Sequence, residues 1–334
     1  YEEGIIYKLP KIAQNALKAP SGLSEVVPAD GGFLVGTQRQ PGVGMRSDSE
    51  LGQVWNRAAN VEIGPNSNGL TMNMVDETSR ANGSRWGGVL GYWLAEAAEK
   101  TASKPTFDQL EAKLKKVAAL LYATDEVLQD ATALASLVNM LVPSELAFQK
   151  DDKAINGSGV GVPLGILNSP ALVTVAKETE QAAATIVAQN IINMYSRREG
   201  SPTNYVWFVN QEVEPQLHQL NLPVGTGGAL VYMPPGGLSA SPYGSLYGRP
   251  VIPIEQASAL GTVGDIMFVN MQKYLTISKG GVQSAESIHV RFIYDESVFR
   301  FVERVDGMPM VKAPLTPFKG SNTRSPFVAL ATRS

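Results

Sequence analysis

The sequence predicts an α+β fold, and three observations lead there. Helical periodicity runs through two stretches in the middle of the chain, over 133–155 and 178–197. Short runs rich in β-branched and aromatic residues follow beyond residue 250, at 251–254, 265–269, 275–278, 289–294 and 298–305. The 334 residues are enough for roughly two domains and a large core, and no fixed-period repeat divides them.

Residues 1–55 mix short apolar pieces with glycine, proline and polar residues. GIIYKL at 4–9 reads as a short strand, ADGGFLVG at 29–36 as a turn leading into another, and PGVG at 41–44 as a break. None of this builds a core of its own, so the segment is expected to be an extended arm packed on something else. From 56 to 105, VEIGPNSNGLTMNMVDE sets a turn cluster at 64–69 between two alternating runs. SRANGSRWGGVLGYWLAEA then places Trp86, Tyr92 and Trp93 near glycines. Two strands flanking a polar region make a long hairpin, and such a ribbon is marginal alone. Its aromatics need burial, either on their own domain or on a neighbouring subunit.

FDQLEAKLKKVAALLYA at 107–123 has Leu110, Leu114, Val117 and Leu121 at helical spacing, although alternate residues also fit a strand in part. Propensity alone predicts a helix there. A short helix capped by Thr124 is expected over 124–130, followed by the long helix 133–155, which Pro143 should kink or split. Asn156-Gly157 should end it in left-handed geometry, opening a glycine-rich loop at 157–167. YVWFVN at 205–210 reads as a buried strand and 211–220 as a short helix. The stretch 222–250, rich in glycine, proline and serine, is a long loop of the kind that usually serves a function or is disordered.

Composition removes several chemistries. The absence of cysteine excludes disulfides, thiolate metal sites and cysteine nucleophiles. Two histidines, His218 and His289, cannot make a multi-histidine zinc site. A net charge of −3 and a pI near 5.6 argue against a strongly basic nucleic-acid binder. The longest apolar candidate, 117–123, is far too short to cross a bilayer, so no membrane association is expected. No signal-peptide pattern is present, and a chain starting at Tyr1 implies that an upstream segment was removed or omitted.

Motif tests point the same way. GSGVG at 157–161 follows a helix and has Val162 where a dinucleotide fingerprint needs its third glycine. There is no phosphate-binding loop, GxSxG elbow, HExxH or calcium loop. His218 and His289 have no acid orienting them and read as structural or surface residues. The acidic pairs Glu96/Glu99, Asp125/Glu126, Asp151/Asp152 and Asp295/Glu296 suit helix ends and solvated faces, and Lys113, Lys115 and Lys116 suit a solvated face. No catalytic, cofactor-binding or metal-binding residue is therefore assigned. An arm, a projecting hairpin and a glycine-rich loop suggest a subunit of an assembly.

WLAEAAEKTASKPTF (93–107), TDEVLQDA (124–131), LAFQKDDKAINGSGVGVPLGIL (146–167), LYGRPVI (246–252) and FRFVERVDGMPMV (299–311) occur in that order. As an ordered set covering roughly 25–315, they resemble the tailed-bacteriophage major capsid proteins with the Hong Kong 97-like fold. The resemblance implies an N-arm at 1–55 and an E-loop hairpin at 56–105. It implies a P-domain at 106–156 and 275–298 with 133–155 as its spine helix, and an A-domain at 157–274 and 299–334. It also replaces the helix at 107–123 by a long strand.

The implied function is self-assembly as pentamers and hexamers into an icosahedral head around double-stranded DNA, held by weak non-specific contact. A portal, a maturation protease or scaffold, and a decoration protein are the implied partners. Inter-subunit contacts are expected at Trp86, Tyr92, Trp93, Lys100, Tyr243 and Tyr247. The low charge fraction, 18%, suits surfaces that end up buried between subunits. Some members cross-link neighbours through a lysine–asparagine bond aided by a glutamate. Lys100 stands at the lysine position, but the other two fall near Ile288 and Asp295, so cross-linking is not expected. An encapsulin-like compartment shell and a gene-transfer-agent capsid are the readings nearest to this one. A glycoside- or ester-acting enzyme would need a nucleophile or acid–base pair that the sequence does not offer.

Overall fold

The computed structural model describes residues 52–124, 132–222, 229–230, 232–233 and 244–334. The strands expected at 4–9 and 29–36, Tyr243, and the helix expected at 124–130 apart from Thr124 lie outside the described residues; Thr124 ends a strand.

The first two alternating runs are strands β1 (Ala59–Glu62) and β2 (Gly69–Val75), but they do not pair with each other. β2 pairs antiparallel with β3 (Phe107–Lys113), from Gly69 opposite Lys113 to Val75 opposite Phe107. No hairpin forms between the two runs expected to pair within 56–105: β2 finds its partner beyond residue 105, and 76–106 is an excursion between these two paired strands. The reason lies in the apolar alternation: Leu70, Met72 and Met74 join Leu110 and Ala112 over Leu275 and Ile277, which a β1–β2 pairing would leave uncovered.

The long strand expected at 107–123 is two strands, β3 and β4 (Lys115–Thr124), divided at Leu114. Asp306 holds the division. Its carboxylate accepts the Lys113 backbone N–H at 3.2 Å and the Lys115 ammonium at 2.9 Å. Helix α1 (Thr132–Asn156) runs unbroken through Pro143. Val142 and Leu146 beside that proline are buried against Phe301, and this packing offsets the missing hydrogen bond. At its end Gly157 is not left-handed, contrary to expectation; glycine is needed there because a Cβ would stand 2.2 Å from the Pro163 carbonyl oxygen.

After β5 (Val173–Val175) the amphipathic stretch 178–197 is helical only as α2 (Ala188–Ser196). Upstream, Gln181 accepts from the Glu178 N–H and donates to the Thr185 carbonyl, while the Ala184 and Ile186 N–H groups go to Arg333 and Gln216. Those bonds replace the helical ladder, and Glu180 and Ala184 take positive φ. β6 (Tyr205–Val209) is buried along its whole length, and α3 (Glu214–Gln219) follows as expected. Within the stretch 222–250 the described residues include short paired strands: β7 (Asn221–Leu222) with β8 (Ala229–Leu230), and β9 (Tyr232–Met233) with β10 (Ser245–Leu246).

β11 (Arg249–Pro253), β12 (Ile266–Asn270) and β13 (Tyr274–Ser278) match expectation closely. The strand expected at 289–294 instead occupies β14 (Gln283–Arg291), and Phe292–Tyr294 form a 3-10 turn back. β15 (Glu296–Pro309) is longer than expected because two sets of partners extend it, and β16 (Phe327–Leu330) closes the chain.

Two sheets result. One has seven strands in the order β5-β16-β12-β6-β11-β10-β9, with apolar cores on both faces. The other is organised by β15, which pairs with β13 at its C-terminal end and lies between β14 and β4 along its N-terminal half. The C-terminal half of α1 contributes Ala154 and Ile155 to one core of the first sheet, while Val142 and Leu146 pack on β15 of the second.

Candidate assembly surfaces

The excursion 76–106 is tied down at its base and open at its tip. Thr316 accepts from the Arg80 N–H at 2.8 Å and donates to the Thr78 carbonyl at 2.9 Å, and Lys312 pairs with Asp108 at 2.7 Å. Thr106 donates twice to the Gly87 carbonyl. Gly87 is required there: its φ is +75°, and a Cβ would come within 2.6 Å of the Thr106 oxygen. Trp86 next to Gly87, and Tyr92, Trp93 and Lys100 beyond this base, are all exposed, Trp93 fully so at 105%. A run of uncovered aromatic surface carries an unfavourable hydration cost that a partner removes.

Tyr247 stands apart from these. It sits at the β10–β11 turn with φ +52°, 38% exposed, and stacks on Tyr195 of α2 with centroids 4.9 Å apart. The structure thus places the predicted contacts on two separate surfaces. Sequence reasoning missed a third, the free end of the long sheet, where Leu120 and Tyr122 of β4, Ile288 and Val290 of β14, and Ile293 are exposed. Its signal was the alternation within 107–123, which the helical spacing obscured.

Most buried charges are internal structural pairs. Arg333 and Asp265 form an ion pair with both side chains fully buried. Lys150 meets Glu303 at 3.0 Å, joining α1 to β15. Asp151 accepts the Trp55 N–H at 2.8 Å, and burial raises its carboxyl above the ordinary range. Burial likewise raises Glu199, opposed by Lys273 and Arg80. The glycine-rich loop after α1 accepts a cation of the protein itself: the Lys115 ammonium donates to the Gly159 and Val162 carbonyls at 3.2 and 2.7 Å. His218 is exposed, edge-on to Tyr232 at 5.0 Å, and His289 is exposed on β14. Among the described residues no three His, Asp or Glu side chains gather as metal ligands.

Comparison with known proteins follows this geometry closely. The model of the Phage capsid family matches residues 31–320. The chain is 30% identical over 175 residues to the major capsid protein of Enterobacteria phage HK97, an alignment covering 51% of this chain and 43% of that relative, so less than half of the curated protein's length is spanned. Among solved structures, the capsid of an empty GTA particle superposes with a TM-score of 0.67 at 17% identity, covering 94% of this chain and all of that one. The structure from Microbacterium phage Oxtober96 gives 0.61 at 15% identity, covering 92% and 99%. At these identities the structural likenesses speak for the fold.

Proposed function

The chain belongs to the phage capsid family and has its mixed α and β, Hong Kong 97-like fold, and on that premise we propose that it is a major capsid protein whose copies self-associate into an icosahedral shell around double-stranded DNA. The observation that carries this reading is the anchored excursion with its uncovered aromatics. A base held by Thr316, Lys312 and Thr106, with Trp86 beside it and Tyr92 and Trp93 beyond it exposed, suits a clasp on an adjacent subunit. The free end of the long sheet offers a second apolar contact, and Tyr247 on its stacked support a third. Stable interfaces bury upwards of about 1,000 Å² each.

In this reading the division into N-arm, E-loop, P-domain and A-domain follows the family pattern, with α1 as the spine helix. Pentamers and hexamers are the building units, and the portal, the protease or scaffold, and any decoration protein meet the shell they form. The protein acts as a component of the virion. Negative-stain imaging of the purified protein tests this: rings or closed shells are expected, and a monodisperse monomer at assembly concentrations would refute it. A gene-transfer-agent shell, whose capsid shares the fold, is distinguished by sequencing nuclease-protected DNA from particles. With Ile288 at the asparagine position, denaturing gels of mature particles should show single-chain mobility.

A further inference from the structure

Two arginines share one cavity at an edge of the seven-stranded sheet. Parallel pairing brings the N-terminal ends of β6 and β11 to the same edge, and antiparallel β12 delivers Met271 and Gln272 there. Arg249 opens β11, and the 3-10 turn Pro202–Asn204 leads into β6. Arg57 arrives from a distant part of the chain. It ends the 3-10 turn Trp55–Arg57, whose Trp55 is buried, and Gln272 donates to its backbone carbonyl at 2.8 Å. Arg57, Thr203, Asn204, Arg249 and Gln272 line a cavity of about 290 Å³ whose walls hold no carboxylate.

Both arginine side chains are half-buried. Among the described residues neither forms an ion pair. The Arg57 Nε is buried and finds no hydrogen-bond acceptor among them, and the bond from its Nη2 to Gln53 is long at 3.4 Å. Arg249 donates to the Gly248 carbonyl from Nε and to the Thr203 carbonyl from Nη1. Those bonds pin the side chain and neutralise none of its charge. Two cations in one concave space repel, and a buried donor without an acceptor keeps its desolvation cost. A bound oxyanion removes both penalties. Arginine forks match the geometry of a phosphate group. A phosphate monoester near neutral pH carries a charge of about −1.5 to −2, which answers two guanidiniums, whereas a lone carboxylate or a DNA phosphodiester supplies only one negative charge.

We propose that Arg57 and Arg249 form a binding site for a dianionic phosphate group, as inorganic phosphate or a phosphate monoester. Thr203 and Asn204 add neutral polar groups to its wall. The site belongs to the single subunit and does not depend on the assembly reading above.

Thermal unfolding of the unassembled full chain tests it, with inorganic phosphate titrated against chloride at equal ionic strength. Past half-saturation, each tenfold rise in phosphate should lift the midpoint by about 2 °C for a chain of 334 residues. R57Q and R249Q should each move that response to about tenfold higher phosphate or more, with unchanged circular dichroism. R57K and R249K keep the charge without the fork; they should fall between, and they give the reading where a glutamine variant does not fold. A short DNA duplex forms the second arm. The inference is overturned if phosphate moves the parent's midpoint no more than chloride does, if the variants respond as the parent does, or if only the duplex produces the shift. Particle formation is the third readout. Poor assembly of R57Q/R249Q with no phosphate response in the parent assigns the cavity to a carboxylate of another copy, and overturns the inference as well.

Discussion

The fully buried pair of Arg333 and Asp265 supports the sharpest stability prediction. Arg333 lies one residue from the end of the chain, beyond β16, and its guanidinium meets the carboxylate that precedes β12. The Asp265 oxygens also accept from the Gly261 and Ile266 N–H groups at 2.9 and 2.8 Å. The Arg333 backbone donates to the Gly261 carbonyl and accepts from Ala184 at 2.9 Å. The C-terminal residues therefore fasten two irregular segments to the seven-stranded sheet. In R333M the carboxylate stays buried with two amide donors but no countercharge, which costs about 3–5 kcal/mol. For a chain of 334 residues that lowers the thermal midpoint by roughly 4–7 °C. D265N leaves the guanidinium stranded and should cost a similar amount. The double variant D265N/R333M strands neither charge, so its loss should fall short of the sum by about 1.5 kcal/mol or more. The assay is denaturant unfolding of the unassembled protein, so that assembly does not contribute to the measured stability. Strictly additive losses, or an R333M loss below about 1 kcal/mol, would refute the reasoning.

Three further outcomes are expected. G157A should cost about 1–3 kcal/mol, because the added Cβ would meet the Pro163 and Lys153 carbonyl oxygens at 2.2 and 2.4 Å; urea midpoints measure this. W93A should leave the unfolding midpoint of the free subunit unchanged, since the side chain is uncovered, yet slow or weaken particle formation in light scattering. Glu199 has its carboxyl raised above the ordinary 4.5 by burial, so the folded state holds its proton more tightly than the unfolded state does. Its contribution is fully present below 4.5 and is lost as pH rises through the raised value. E199Q should remove that decline and be the more stable protein at neutral pH, read from thermal midpoints across the acid range.

The short apolar run 205–209 was legible as a strand from its aromatic and β-branched content. The long helix was legible from its spacing, although Pro143 suggested a break that packing on Phe301 prevents. Local propensity fails at two places for one cause, and at 107–123 it was the family resemblance that predicted strand. Residues 107–123, rich in lysine, alanine and leucine, favour a helix locally and become strands because β2 and β15 supply ladders and Asp306 sets the division. Residues 178–187 keep helical spacing but lose the helix to Gln181, Gln216 and Arg333. Of the candidate contacts, the glycine-flanked aromatics could be found by composition, since large exposed rings need a cover somewhere. The paired arginines could not, because Arg57 and Arg249 come together only where Gln272 ties the turn at 55–57 beside β6 and β11.

By itself the sequence determined that cysteine chemistry is missing from these 334 residues, that the chain mixes α and β structure, and through an ordered set of segments its family, because residue types and their spacing are local quantities. Tertiary structure decided which strands pair, where α2 starts, and which charges are buried in pairs or left facing outward. Those outcomes turn on hydrogen-bond and ion-pair partners that are distant in the chain and adjacent only after folding.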